Sequence, residues 1–314
     1  MAGYLTRRIS LIVVTLLVVS MAIFMVTEIL PGDVAKMMLK SNATEESLAR
    51  IREDLGLNRP AYERYASWIW GAVQGDFGNS YVMGVPIADI LPRRIYHSLV
   101  LAIFAVVVGV PTAVAAGVWA GIRPDRLGDR LMSVVSLVGI SLPEFVTGVI
   151  LMLVLASTLH LLPPSSIMLP GESPLNRPLV LVMPTLTLMA VLFGYIMRMT
   201  RANVIEVMQT PYVRTAILKG LPMRRVLLRH VLPNSMLPTI SIVAMNFGWM
   251  LGGLIIVENV FAYPGLGQLL LFSIQQRDVP LLEALALIIA GVYALSNLLA
   301  DLTYAALDPR IRLS

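Results

Sequence analysis

A carboxylate inside a long apolar stretch is the first feature of the sequence that could do chemistry. Glu144 follows Pro143 there. An acid at such a place is costly unless it faces a helix-bundle interior or water. The proline removes a backbone hydrogen bond and leaves polar space beside it. Glu144 is therefore either a pathway residue that meets a cationic group, or a protonated or hydrogen-bonded carboxylate that bridges helices. Asn246, in another apolar stretch, joins Pro143 and Glu144 as candidate path lining, and with Asn297 it fits an interhelical hydrogen-bonder. The second feature is a set of cations among small and apolar residues: Arg214, Thr215, Ala216, Lys219, Gly220, Leu221, Arg224, Arg225 and Arg229. No aromatics are interleaved with them to stack bases, so docking to a cytoplasmic partner is expected and nucleic acid is not.

What is missing narrows the chemistry further. The only lysines are Lys36, Lys40 and Lys219, and no Gly-Lys-Ser/Thr occurs, so the chain cannot cradle a nucleotide phosphate in the Walker manner. His97, His160 and His230 fall in or beside expected loops, and neither His-Glu-x-x-His nor paired intramembrane aspartates are present. Proteolysis within a bilayer is not expected. The absence of cysteine rules out Cys-ligated zinc, iron–sulfur clusters and disulfide frameworks. No cofactor or metal is expected on this chain, and no enzymatic activity.

The elements that hold these residues follow from composition. With 57% hydrophobic and only 14% charged residues, and a mean hydropathy of +0.79, the chain is an integral membrane protein. Six apolar runs approach or exceed the ~20 residues that cross a bilayer as a helix: 9–30, 98–121, 131–159, 178–197, 236–257 and 282–305. Their continuous hydrophobicity argues for helices over barrel strands, and the fold class is all-α, polytopic. The first run is too long for a signal-peptide core and lacks a small-residue cleavage site, so it is read as a true span.

Basic residues sort by loop. Arg7 and Arg8, the loop with Arg123, Arg126 and Arg130, the segment 198–237 and the tail with Arg310 and Arg312 share one side, which the positive-inside rule makes cytoplasmic for both termini. The net charge of +5 is thus topological. Residues 1–30 form the amino terminus and first span, 31–97 an outer helical insert, 98–305 the remaining five spans, and 306–314 a cytoplasmic tail. Within the insert, Thr44 caps an expected helix to about position 55, and Pro60 opens a second through Tyr62, Tyr65, Trp68 and Trp70, aromatics suited to the membrane interface. Glu28, Glu258, Glu283 and Asp301, near span ends, are expected to be solvated. Gly117-x-x-x-Gly121 and Gly248-x-x-x-Gly252 have the spacing of close helix contacts. In 198–237, one short helix ends at Gly220 before Pro222 and a second covers 223–232, making a cytoplasmic knob.

This loop resembles the coupling loop of binding-protein-dependent ABC importer permeases, whose pattern is Glu-Ala-Ala, three residues, Gly, a spacer and Ile-x-Leu-Pro. Arg214-Thr215-Ala216 stands where Glu-Ala-Ala would, Gly220 is correctly spaced, and Ser235-Met236-Leu237-Pro238 closes the loop. Arg-Thr-Ala-x-x-x-Gly-Leu is the form that the peptide-import branch tends to show. Leu30-Pro31-Gly32-Asp33, Leu55-Gly56-Leu57-Asn58-Arg59-Pro60, Gly75-Asp76-Phe77-Gly78-Asn79-Ser80, Ser141-Leu142-Pro143, the run from Val260 to Gly267, Arg277-Asp278-Val279-Pro280 and the tail from Leu307 to Arg312 extend the likeness to the dipeptide, oligopeptide and nickel branch, in its larger first permease type.

The resemblance implies a type I importer in the bacterial inner membrane. It implies a second homologous permease, two ATPase domains or subunits that carry ATP and magnesium, a periplasmic or lipid-anchored substrate-binding protein, and surrounding lipid. The coupling residues named above would then dock into an ATPase groove. Cargo would be dipeptides or short oligopeptides, with nickel chelates, glutathione and opine-like compounds open. The alternative is a secondary carrier or channel, for which Glu144 is the one ionisable group near the middle of a span.

Overall fold

The computed structural model describes residues 2–29, 44, 58–169 and 171–307. Among these the chain is helical, with one isolated bridge between Asn79 and Pro86. In order the helices are α1 (Ala2–Ile29), α2 (Ala61–Gln74), α3 (Ile87–Ile122), α4 (Leu127–Ser141), α5 (Glu144–Leu151, continued by a π-helical Met152–Thr158), α6 (Leu179–Met208), α7 (Pro211–Leu218), α8 (Met223–Val226), α9 (Leu232–Val260), α10 (Leu266–Gln276) and α11 (Val279–Leu307). The expected helix over 44–55, the Leu30-Pro31-Gly32-Asp33 motif and the tail after Leu307 lie outside the described residues, Thr44 apart.

Among the described residues, four helices are long and apolar enough to cross a membrane by themselves, and five if the bent pair Leu127–Ser141 and Glu144–Thr158 counts as one span. The run at 236–257 falls inside α9. The run at 131–159 is not one continuous helix: its halves meet at 113°. Pro143 has no N–H to donate and forces the residue before it out of the helical region, so Leu142 (φ −91°, ψ 130°) and Pro143 (φ −57°, ψ 146°) are both extended.

The chain divides into two compact units, Met1–Tyr96 with Gly265–Ala294, and His97–Pro264 with Leu295–Ser314. In the first, α2 packs on α1 through Phe24, whose ring lies 5.5 Å from Tyr65 and 6.3 Å from Trp68. The buried Asp278 carboxylate accepts hydrogen bonds from the Ser80 hydroxyl and from the backbone N–H groups of Tyr81 and Val82, both at 3.1 Å, and so shapes the loop before α3. Burial and the nearby Glu283 and Asp278 carboxylates push the Tyr81 phenol up to about 12. Glu283 is itself buried and accepts from Thr27 Oγ1 at 2.6 Å, contrary to the expectation of a solvated interface acid.

In the second unit α6 is the central helix. The backbone of α3 comes so close that a Cβ on Gly117 would stand 2.6 Å from the Met197 carbonyl oxygen, and one on Gly121 2.8 Å from the Val204 side chain. The other glycine pair differs, because a Cβ on Gly252 would meet nothing within 4 Å. Pro184 lies inside α6 and cannot bond the carbonyl four residues back. The Ser166 hydroxyl donates to that carbonyl, Val180 O, at 2.6 Å, while Ser166 N–H donates to Phe261 O at 2.7 Å. Glu258 is also fully buried and accepts from the Ser98 hydroxyl, again unlike the solvated acid expected near a span end. His97 is a residue of α3, buried, with Nδ1 2.9 Å from Pro264 O, rather than a loop histidine.

Candidate functional site

The knob is built as its sequence dictates. Pro211 occupies the first turn of α7, where its missing N–H costs nothing. At the other end Gly220 adopts φ +75°, its N–H donates to Ile217 O at 2.9 Å, and Leu221 N–H donates to Ala216 O at 3.4 Å. These two bonds make a Schellman cap, in which the left-handed residue is glycine because a Cβ there is strained. Pro222 then prevents the helix from continuing and caps α8, which passes through a π-helical Leu227–Val231 into α9.

Below the cap, Val213, Ala216, Val226 and Val231 bury against Val204 of α6, with Val118 and Ile122 of α3 alongside. Ala216 is therefore a core residue of the knob. Arg214, Thr215, Lys219, Gly220, Arg224, Arg225 and Arg229 are exposed, and Leu221 is half-buried under the cap. The exposed face also carries apolar side chains, foremost Leu218 at 79% exposure, with Tyr212, Ile217, Met223 and Leu228. A cationic rim around apolar side chains on a fixed core is a surface suited to protein docking.

Two polar features behind the knob escaped the sequence reading. Asp129, 3% exposed, is gripped by Arg201, whose Nε and Nη2 both donate, the latter at 2.7 Å; Asp125 N–H adds a bond at 2.9 Å. This bidentate pair fastens α4 to α6. Buried Asn203 donates to Ser235 O at 3.5 Å and to Thr239 Oγ1 at 3.4 Å, joining α6 to α9. The available signal was a pair of polar residues, Thr200 and Asn203, at i and i+3 in an apolar helix. Arg201, counted only as a topological charge, carried no sign of a partner 72 residues away.

At the break, Glu144 is not in mid-helix. It is the first residue of α5, where the helix dipole favours an anion. Its carboxylate rests on Gly253 of α9: a Cβ there would stand 3.2 Å from Glu144 Oε1 and 3.6 Å from the Leu188 side chain of α6. The group is half-buried where α5, α6 and α9 meet. Asn246 lies on the same helix as Gly253. Its amide donates to Ile242 O of its own helix at 2.8 Å, and among the described residues it makes no interhelical bond.

Residues 113–313 match the family of inner membrane components of binding-protein-dependent transport systems, and residues 1–102 match the amino-terminal part of the same transport membrane components. The chain belongs to this family. A probable peptide ABC transporter permease of Sinorhizobium fredii is 34% identical over 99% of this chain and 100% of its own length. The glutathione transport system permease GsiC of Escherichia coli K12 is 36% identical over 99% of each chain, and so is its counterpart in Shigella flexneri. As a permease of a binding-protein-dependent system, the chain is a transport component rather than an enzyme, and it works with a substrate-binding protein and a separate ATPase. The secondary-carrier alternative falls with that membership.

Proposed function

We propose that this permease forms, with a second homologous permease, the inner-membrane path of an ATP-driven importer of dipeptides or short oligopeptides. Full-length similarity to permeases named for a peptide and for glutathione, itself a tripeptide, carries the cargo class. Six spans with both termini cytoplasmic, counting the bent pair and α9 as one each, are the arrangement that the basic loops favour. The exposed cations and apolar side chains of α7 and α8 meet a groove on one of two ATPase subunits, which hold ATP and magnesium. Glu144 lies on the path beside the partner permease, where its carboxylate meets a cationic peptide group at a joint between two helices.

The test is uptake by the reconstituted complex in liposomes, supplied with its binding protein and a panel of dipeptides, longer peptides, glutathione and a nickel chelate. ATP-dependent accumulation of peptides is expected. Accumulation of the nickel chelate alone would remove the peptide assignment and leave the importer class standing.

A further inference from the structure

We propose that α2 is an amphipathic helix sunk into the membrane leaflet at the Glu28 end of α1, presenting Tyr62, Ala66, Trp70 and Val73 to lipid acyl chains rather than standing in an aqueous insert. The depth is read from α1. Arg8 and Glu28 bracket its apolar body, and the interval between them rises about 30 Å, the thickness of the hydrocarbon core. Glu28 thus marks the rim, with Phe24 about 6 Å and Ser20 about 12 Å beneath it. The helix α2 reaches all three levels. Arg64 pairs with Glu28 at the rim, Tyr65 and Trp68 pack on Phe24, and the Tyr65 hydroxyl lies 2.8 Å from Ser20 Oγ, a fully buried group. Even with the tyrosine ring spanning part of that distance, the middle of α2 sits below the rim.

The sequence of α2 divides its circumference into three sectors at about 100° per residue. Arg64, Tyr65, Trp68 and Ala72 face α1. Glu63, Ser67 and Gln74 share a narrow, exposed polar sector. Tyr62, Ala66, Trp70 and Val73 fall within an arc of about 80°, and the three large ones are 72%, 67% and 76% exposed. Large apolar side chains beside a polar flank are the pattern of a helix lying in the interface with one face in the acyl region. Lipid is the occupant because this sector continues a surface already in the bilayer: Met21, Met25 and Val26 of α1, at the same depth, are exposed as well.

The chain has no cysteine, so single nitroxide labels are introduced directly. Ala66→Cys, Trp70→Cys and Val73→Cys probe the apolar sector, and Glu63→Cys and Ser67→Cys the polar one. The full complex is placed in phosphatidylethanolamine–phosphatidylglycerol liposomes, and relaxation by oxygen is compared with relaxation by a water-soluble nickel chelate. Oxygen is expected to exceed the chelate several-fold at 66, 70 and 73, with the ratio reversed at 63 and 67. A dominant chelate effect at 66 and 73 overturns the proposal by placing the helix in water. Exclusion of both reagents there also overturns it, by showing the face covered by protein. Ala66→Cys and Val73→Cys decide the matter if Trp70→Cys does not assemble. The readout is independent of cargo, so its failure leaves the peptide assignment untouched.

Discussion

The cytoplasmic knob and the broken span both stop one helix and start another at an angle, and they do so by different means. In the knob the turn is held by bonds between near neighbours, Gly220 to Ile217 and Leu221 to Ala216. At 141–143 Pro143 forces extension, but the local bonds, from Leu142 N–H to Val138 O and from Val146 and Thr147 N–H to Pro143 O, each stay within one helix end and none crosses the bend, so the angle is set from afar. Gly139 packs on Ala190, where a Cβ would stand 2.6 Å from the carbonyl oxygen; Arg201 grips Asp129, and Glu144 rests on Gly253. A locally bonded turn keeps its shape whatever packs around it. A turn fixed by distant contacts changes when those contacts change.

The largest effect expected from this contrast is at the distant clamp. Arg201→Gln leaves the buried Asp129 carboxylate without its cation and costs about 3–5 kcal/mol, read as a lowered unfolding midpoint of the purified complex. Asp129→Asn combined with Arg201→Gln should recover most of it. A parent-like midpoint for Arg201→Gln alone breaks the claim that the span is held from afar. Next comes the footing that the knob shares with α3 and α6. Gly117→Val drives a side chain into the Met197 backbone and destabilises by about 1–3 kcal/mol, whereas Gly252→Ala, with open space around it inside α9, is expected to stabilise by about 0.5–1 kcal/mol.

The knob's own turn gives a smaller thermodynamic effect and a sharper functional one. Gly220→Val forces a β-branched residue to φ +75°, a strain of roughly 1–2 kcal/mol. The protein should still insert while binding-protein-stimulated ATPase activity falls, and Gly220→Asn should be milder because asparagine tolerates the left-handed region. Stimulation equal to the parent's in Gly220→Val would sink the coupling assignment. Smallest in stability is Glu144→Gln, which keeps size and shape at the break. Assembly should be near normal and uptake of cationic peptides reduced relative to neutral ones; equal uptake of both classes assigns Glu144 a purely structural role.

The sequence made the knob legible because its signals are local: a proline at one end, glycine and proline at the other, and cations between. Unbroken apolar runs likewise announced the helices, although α3 begins at Ile87, before the run does. Pro143 signalled a bend, but its 113° follows from packing partners on other helices. The same distance hides the buried acids. Glu258 is buried with Ser98, 160 residues earlier, and Glu283 with Thr27, 256 residues earlier. Nothing near either acid distinguishes it from a solvated carboxylate at a span end.

The joint at 142–143 also has a kinematic consequence. With α4 tied to α6 by the Asp129 clamp at one end and the Gly139 contact at the other, the angle to the limb Glu144–Thr158 is carried by Leu142 φ and ψ and Pro143 ψ. The proline ring locks its own φ, leaving about three soft rotations. The limb does not use that freedom, because Gly148 packs on Val260 and Phe261 and Ala156 is buried in the core of the second unit. Measured from the joint, Glu144 sits at the smallest radius and Thr158 lies about 20 Å out. A given change of angle at the joint would therefore displace the carboxylate least and the far end of the limb most.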